Sequence, residues 1–187
     1  MEMDMKVIEQ LVAQALKEMK AEEPAAFVKQ KEETYGVFAT MDEAIEASAK
    51  AQKTLLFSKI EDRQRYVDII RATVCKRENL ELMSRMAVEE TEIGKYEHKL
   101  IKNRLAAEKT PGTEDLVTEA QTGDHGLTLV EYCPFGVIGA ITPTTNPTET
   151  IICNSISMIA GGNTVVFSPH PRAKKASARQ EARSQMY

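Results

Sequence analysis

Apolar residues are spaced in two ways along this chain, and the change of spacing divides it. At the start, Val7, Ile8, Leu11, Val12, Ala15, Leu16 and Met19 recur every three or four positions, opposite Glu9, Gln10, Gln14, Lys17 and Glu18. That pattern predicts an amphipathic helix over residues 1–20, with Asp4 as a candidate N-cap. Pro24 and the charges of "KAEEPAAFVKQKEE" interrupt it, so residues 21–40 read as a linker. A helix set beyond a linker can bury its stripe by folding back on its own domain or by docking on another protein. Its polar face is not strongly basic, which disfavours a membrane surface.

Residues 41 to about 110 keep the helical period. Asp42 is a candidate cap for a first helix containing Ala44, Ile45, Ala47, Ser48 and Ala51. Ile60, Tyr66, Val67, Ile69, Ile70 and Val74 mark a second helix, and Leu80, Leu82, Met83, Met86, Ala87 and Val88 a third, which Gly94 can close in a left-handed conformation. Tyr96 to Ala107 form a fourth, stopped by Thr110-Pro111-Gly112. From about residue 117 the period falls to two. "VTEAQTGDHGLTLVEYCP" alternates about a Gly123-Asp124-His125-Gly126 turn and predicts a β-hairpin over about 117–133, with His125 as a turn residue. "FGVIGAIT" is apolar on both faces and predicts a fully buried strand; "ETIICNSISMIAGG" predicts a helix and "NTVVFSP" a second buried strand. Strand, helix, strand in that order is a βαβ unit with parallel strands. The fold class expected is α/β.

Composition narrows the function. Of 187 residues, 42% are apolar and the formal net charge is −4. A core is within reach of such a chain, whereas a nucleic-acid partner would ask for a basic face. No run of 18 apolar residues is present, which argues against a membrane span, and the N-terminus lacks a secretory pattern. Cys75, Cys133 and Cys153 are widely spaced and contain no CxxC pair, so neither a zinc site nor a disulfide framework is indicated and a reducing cytoplasm is the expected location.

The candidate chemistry lies in "AITPTTNPTET", residues 140–150. In open α/β sheets, ligands bind at the carboxyl ends of strands, and "TPTTNP" ends the first strand of the βαβ unit. Pro143 and Pro147 stiffen this loop, and Thr142, Thr144 and Thr145 bring hydroxyls. Asn146 brings an uncharged amide donor, suited to an oxyanion that appears only during reaction. The simpler reading of these residues, and the one their chemistry alone favours, is that Asn146 is the N-cap of the following helix, with Pro147 in its first turn. The second strand ends in "FSPHP", so Ser168 and His170 either meet a ribose or are ordinary loop residues. Neither GxGxxG nor GxxxxGK occurs.

"PFGVIGAITPTTNPTETIICNSISMIAGGNTVVFSPHP" closely resembles the aldehyde dehydrogenase superfamily, and more narrowly the CoA-acylating acetaldehyde and propionaldehyde dehydrogenases of bacterial microcompartments. The resemblance runs from the first helix to about residue 171. It implies the first βαβ unit of a Rossmann-like domain, incomplete at the C-terminus, with residues 41–171 as a partial nucleotide-binding domain. It also implies a reaction in which a small aldehyde is oxidised through a thiohemiacetal on cysteine, with hydride passing to NAD and the acyl group to CoA. By the resemblance, Asn146 is the oxyanion donor; Thr142, Pro143 and Thr144 lie along the nicotinamide side; Ser168, Pro169 and His170 face the ribose. The resemblance also implies that Val7, Ile8, Leu11, Val12 and Leu16 belong to a helix that docks on a microcompartment shell protein, and that the hairpin is an oligomerisation element of a homo-oligomer.

The chain also departs from the family. Pro143-Thr144-Thr145-Asn146 has one more position than the superfamily's usual proline, aromatic, asparagine, and Ser168 stands where a lysine commonly precedes the proline. None of the three cysteines matches the family nucleophile. Cys153, seven positions after Asn146, sits in an apolar helical run and is expected to pack. After Pro171 no Val, Ile, Leu or Phe follows, so residues 172–187, with Arg172, Lys174, Lys175, Arg179 and Arg183, read as an atypical, solvated, disordered tail of a truncated chain. An isolated chain of this kind is expected to lack acyl-transfer activity. The alternative is a non-catalytic cargo or assembly module that docks to a shell or to the full-length enzyme.

Overall fold

The structure, a computed structural model, describes residues 36–178. The amphipathic segment of residues 1–20 with Val7, Ile8, Leu11, Val12 and Leu16, most of the 21–40 linker, and the end of the tail with Arg179 and Arg183 lie outside the described residues.

Four helices come first: α1 (Met41–Leu55), α2 (Ile60–Cys75), α3 (Arg77–Thr91) and α4 (Tyr96–Lys109). α1 is capped two residues earlier than Asp42 suggested. Thr40 is the N-cap: its backbone is extended (φ −126°, ψ 157°), its hydroxyl accepts from Glu43 N, and the Glu43 carboxylate accepts from Thr40 N at 3.3 Å. Asp42 sits inside the first turn, where its charge favours the helix N-terminus. α3 ends on Glu92 in the left-handed region (φ 57°), not on Gly94, which takes φ 87° two residues further on.

After a short 3-10 turn, Thr113–Asp115, the hairpin of β1 (Glu119–Gly123) and β2 (Gly126–Val130) pairs Gly123 with Gly126 around Asp124 and His125. All residues of both strands are exposed. The βαβ unit follows: β3 (Val137–Thr142), α5 (Pro147–Ala160) and β4 (Thr164–Pro169), with β3 and β4 parallel from Val137↔Thr164 to Thr142↔Pro169.

α5 is the helix around which the others gather. Its Ile152, Ile156 and Ala160 meet Val67, Ile70 and Val74 of α2, Leu80 and Met83 of α3, and Ala106 and Ala107 of α4. α1 is tied to the start of β4 through polar bonds: Thr164 N donates to Gln52 Oε1 (2.7 Å), Gln52 Nε2 to Gly162 O (2.9 Å), and Ser48 Oγ to Thr164 Oγ1 (2.9 Å).

Two expectations are corrected. β3 was expected to be buried on both faces; Ile138, Ala140 and Thr142 turn inward, but Ile141 is 86% exposed and Val137 is also open. The face of β3 that carries Val137, Gly139 and Ile141 is open among the described residues, although Val166, beside Gly139 on β4, is buried. The tail expected from residue 172 begins instead as structure. Pro171–Ala173 form a 3-10 turn, residues 174–178 are helical, and Ala173, Ala176 and Ser177 are buried. Arg172 Nη2 donates to Thr91 O (3.1 Å), and the Glu90 carboxylate accepts from Lys175 N (2.8 Å) and Ala176 N (2.7 Å). Two alanine methyls and a carboxylate cap hold a turn that lacks large apolar residues. No helix among the described residues is long and apolar enough to cross a membrane.

Candidate active-site loop

β3 stops because Pro143 has no N–H to extend the ladder, and α5 starts at Pro147, whose fixed φ suits a first helical position. Thr144, Thr145 and Asn146 bridge the two. The parallel register sets Thr142 beside Pro169, and His170 N donates to Thr142 O at 3.1 Å. Thr142, Pro143, Thr144, Asn146, Ser168, Pro169 and His170 are therefore collected at one end of the sheet, as the sequence suggested. Thr142 itself is 1% exposed, and its hydroxyl is buried without a partner among the described residues. What the loop offers to solvent comes from the exposed Pro143 and Thr145 and the half-buried Thr144 and Asn146. His170 is exposed, with Nδ1 accepting from Arg172 N (3.1 Å).

The loop is held from behind by α4. Lys99 Nζ donates to Thr145 O at 2.6 Å and lies 3.2 Å from Glu149 Oε1; the two side chains are 4% and 8% exposed. A buried ion pair is tolerated only when its remaining polar groups are bonded. Here Thr148 Oγ1 is 2.8 Å from Asn103 Oδ1 and 3.2 Å from the second Glu149 oxygen, while Asn103 Nδ2 donates to Ser84 Oγ at 3.1 Å. Glu149 also stands in the first turn of α5, where the helix dipole favours an anion. A second ammonium, that of Lys102, lies 3.6 Å from Glu149 Oε1 and donates to Asn146 Oδ1.

Asn146 occupies the N-cap position of α5, and its carbonyl accepts from Thr150 N (3.1 Å), yet its side chain bonds no helix N–H. An ammonium only donates, so the amide atom facing Lys102 is the oxygen. The NH₂ is left without a partner among the described residues. A neutral donor held at the carboxyl end of β3, with nothing to donate to, can serve an oxygen that acquires negative charge.

Sequence reasoning missed Lys99, Lys102, Asn103 and Glu149, because the helices were read as scaffold. The signal was present: Lys99, Asn103 and Ala106 fall at i, i+4 and i+7, so two polar residues occupy the buried stripe of α4. The cysteines stay away from the loop's chemistry. Cys153 packs against the core with Sγ 3.1 Å from Thr110 Oγ1, Cys133 is exposed beyond the hairpin, and Cys75 is half-buried at the end of α2. Burial pushes the Cys75 thiol up, and the Glu108 carboxylate adds to the shift. No cluster of His, Cys, Asp and Glu that could hold a metal ion exists among the described residues.

A family model described as the aldehyde dehydrogenase family matches residues 12–180. This chain belongs to the aldehyde dehydrogenase family. Among aldehyde dehydrogenases it is similar to propanal dehydrogenase (CoA-propanoylating) of Salmonella typhimurium, with 47% identity over 145 residues, 76% of this chain and 30% of that one. The propionaldehyde dehydrogenase of Rhodopseudomonas palustris, solved with bound propionyl-CoA, superposes with a TM-score of 0.77 at 65% identity, covering 80% of this chain and 33% of that one. A propionaldehyde dehydrogenase from the fucose utilisation microcompartment of Clostridium phytofermentans gives 0.73 at 56% identity, covering 79% and 34%. The chain thus spans about a third of the length of the aldehyde dehydrogenases it matches.

Proposed function

We propose that this chain supplies the oxyanion-donating and nucleotide-facing part of an NAD-dependent, CoA-acylating aldehyde dehydrogenase: aldehyde, CoA and NAD give acyl-CoA and NADH. The observation that carries the reading is the Asn146 carboxamide, its oxygen engaged by Lys102 and its NH₂ unpaired at the end of β3. When a thiolate adds to an aldehyde carbonyl, the oxygen becomes an alkoxide, and a preorganised donor there lowers the barrier. Losing one such donor costs on the order of 10² to 10³ in kcat.

The residues at this edge suit a dinucleotide. Thr142 to Asn146 and Ser168 to His170 include no carboxylate that would repel phosphates, and they offer hydroxyls, an amide and an imidazole. Bound there, NAD would supply the hydride acceptor. Thr142, Pro143 and Thr144 would hold its nicotinamide side, and Ser168, Pro169 and His170 its ribose. The thiolate comes from a residue other than Cys75, Cys133 and Cys153, none of which stands at the loop. The likeness to a microcompartment enzyme supports a cytoplasmic setting inside such a compartment, with residues 1–20 docking to its shell and the hairpin joining copies of the enzyme.

Calorimetric titration of NAD into the full chain tests the reading. Saturable binding is expected, and a folded chain that takes up no NAD overturns the nucleotide-facing role. With NAD, CoA and propionaldehyde together, the full chain is expected to give no NADH above background; NADH formation would overturn the exclusion of its three cysteines.

A further inference from the structure

Two lysines one turn apart on α4 reach the same helix N-terminus, and they are not equivalent. Lys99 is 4% exposed and fully committed, to Thr145 O and to Glu149. Lys102 is 47% exposed on its side chain and stands farther from Glu149, and its nearest partner is Asn146 Oδ1. Glu149 is already neutralised by Lys99, so a second ammonium is not required for its burial.

We propose that Lys102 is a positioning residue that fixes which way the Asn146 carboxamide faces. The inference rests on the reading of Asn146 as an oxyanion donor. A carboxamide has two ends of nearly the same shape and opposite hydrogen-bonding character. Turned over, Asn146 would present an oxygen, which repels an oxyanion. Nothing in the helix makes the choice, since the side chain caps no N–H of α5. The Lys102 ammonium makes it, because only the oxygen can accept from a cation. The same contact polarises the amide, which makes the free N–H groups better donors. Glu149 keeps the ammonium in place from the other side, 3.6 Å away. Buried Lys99 thereby shapes the backbone of the loop, and half-exposed Lys102 orients its one amide.

The full chain, ¹⁵N-labelled, tests this by the side-chain NH₂ signals of Asn146, assigned through their loss in Asn146→Ala. Lys102→Met removes the cation and keeps the stem. It is expected to move both NH₂ signals and to speed rotation about the amide C–N bond, which a charge on the oxygen slows. Lys102→Arg, which restores a cationic donor, is expected to return the slow rotation. Unchanged Asn146 signals in Lys102→Met overturn the proposal, as does an Arg variant indistinguishable from Met. The NAD titration of the same samples separates this from the reading it rests on. Signals that respond to Lys102 in a chain that binds no NAD leave the positioning role standing and remove the nucleotide site; signals that ignore Lys102 in a chain that binds NAD do the reverse.

Discussion

Lys99 is the residue on which the loop's backbone depends. Its ammonium satisfies the Thr145 carbonyl and the Glu149 carboxylate at once, inside a helix interface where water is scarce. Lys99→Met would leave Glu149 buried with the Thr148 hydroxyl and, as its cation, the more distant Lys102. The expected cost is about 3–5 kcal/mol, the usual range for breaking one side of a buried pair, read as a lowered urea midpoint. A double variant, Lys99→Met with Glu149→Leu, should recover much of that loss, because it removes the stranded charge together with its partner. These residues were hard to find in the sequence for a physical reason. A lysine reads as a solvated residue unless its position on the helix is weighed, and its carboxylate partner lies 50 positions away. The loop of Asn146 was easier to pick out, since Thr, Pro and Asn closing an apolar strand stand apart from their surroundings, but the residues alone suited a helix cap as well as a donor.

At the scale of elements, periodicity carried most of the information. The four helices, the hairpin with its Asp124-His125 turn and the βαβ unit all occur where the spacing of Val, Ile and Leu placed them. Ends were less legible. Asp42 and Thr40 are both good caps by type, and only the extended backbone at Thr40 decides between them. The short helix after Pro171 was invisible, because alanine methyls and a borrowed carboxylate, Glu90, replace an apolar stripe. Between elements, Arg71 of α2 clasps the 3-10 turn, donating to Glu114 Oε1 (2.8 Å) and Thr110 O (2.9 Å). The hydrogen bond from Arg71 holds the Glu114 carboxyl below the usual carboxylate range. The folded value is thus lower than the unfolded one, so the clasp contributes above the unfolded value of about 4.3 and is lost as pH falls through the lower folded one. Glu114→Gln is expected to flatten the fall of the thermal midpoint in acid. Its effect at pH 7 should stay below about 1 kcal/mol, since the carboxylate is half exposed.

For the molecule as a whole, sequence and structure part over what is covered. "FGVIGAIT" is written for a strand with neighbours on both faces, and the structure gives it helices on one. Phe135 is 95% exposed and Ile141 86%, so the composition of the strand describes an environment larger than the described residues supply. The hairpin carries the same message further. Its strands keep the alternation of a sheet with a lining, Leu127 and Leu129 on one side, yet every residue is open to solvent. A lone two-stranded ribbon is marginal in water. Its order is therefore on loan: it is the first part of the fold to open and the last to set. Within the described residues, a protease added at low dose should cut first between residues 117 and 133, the pieces before and after the cut should stay together through the core of α2–α5, and whatever surface comes to lie along Leu127 and Leu129 should close that cut.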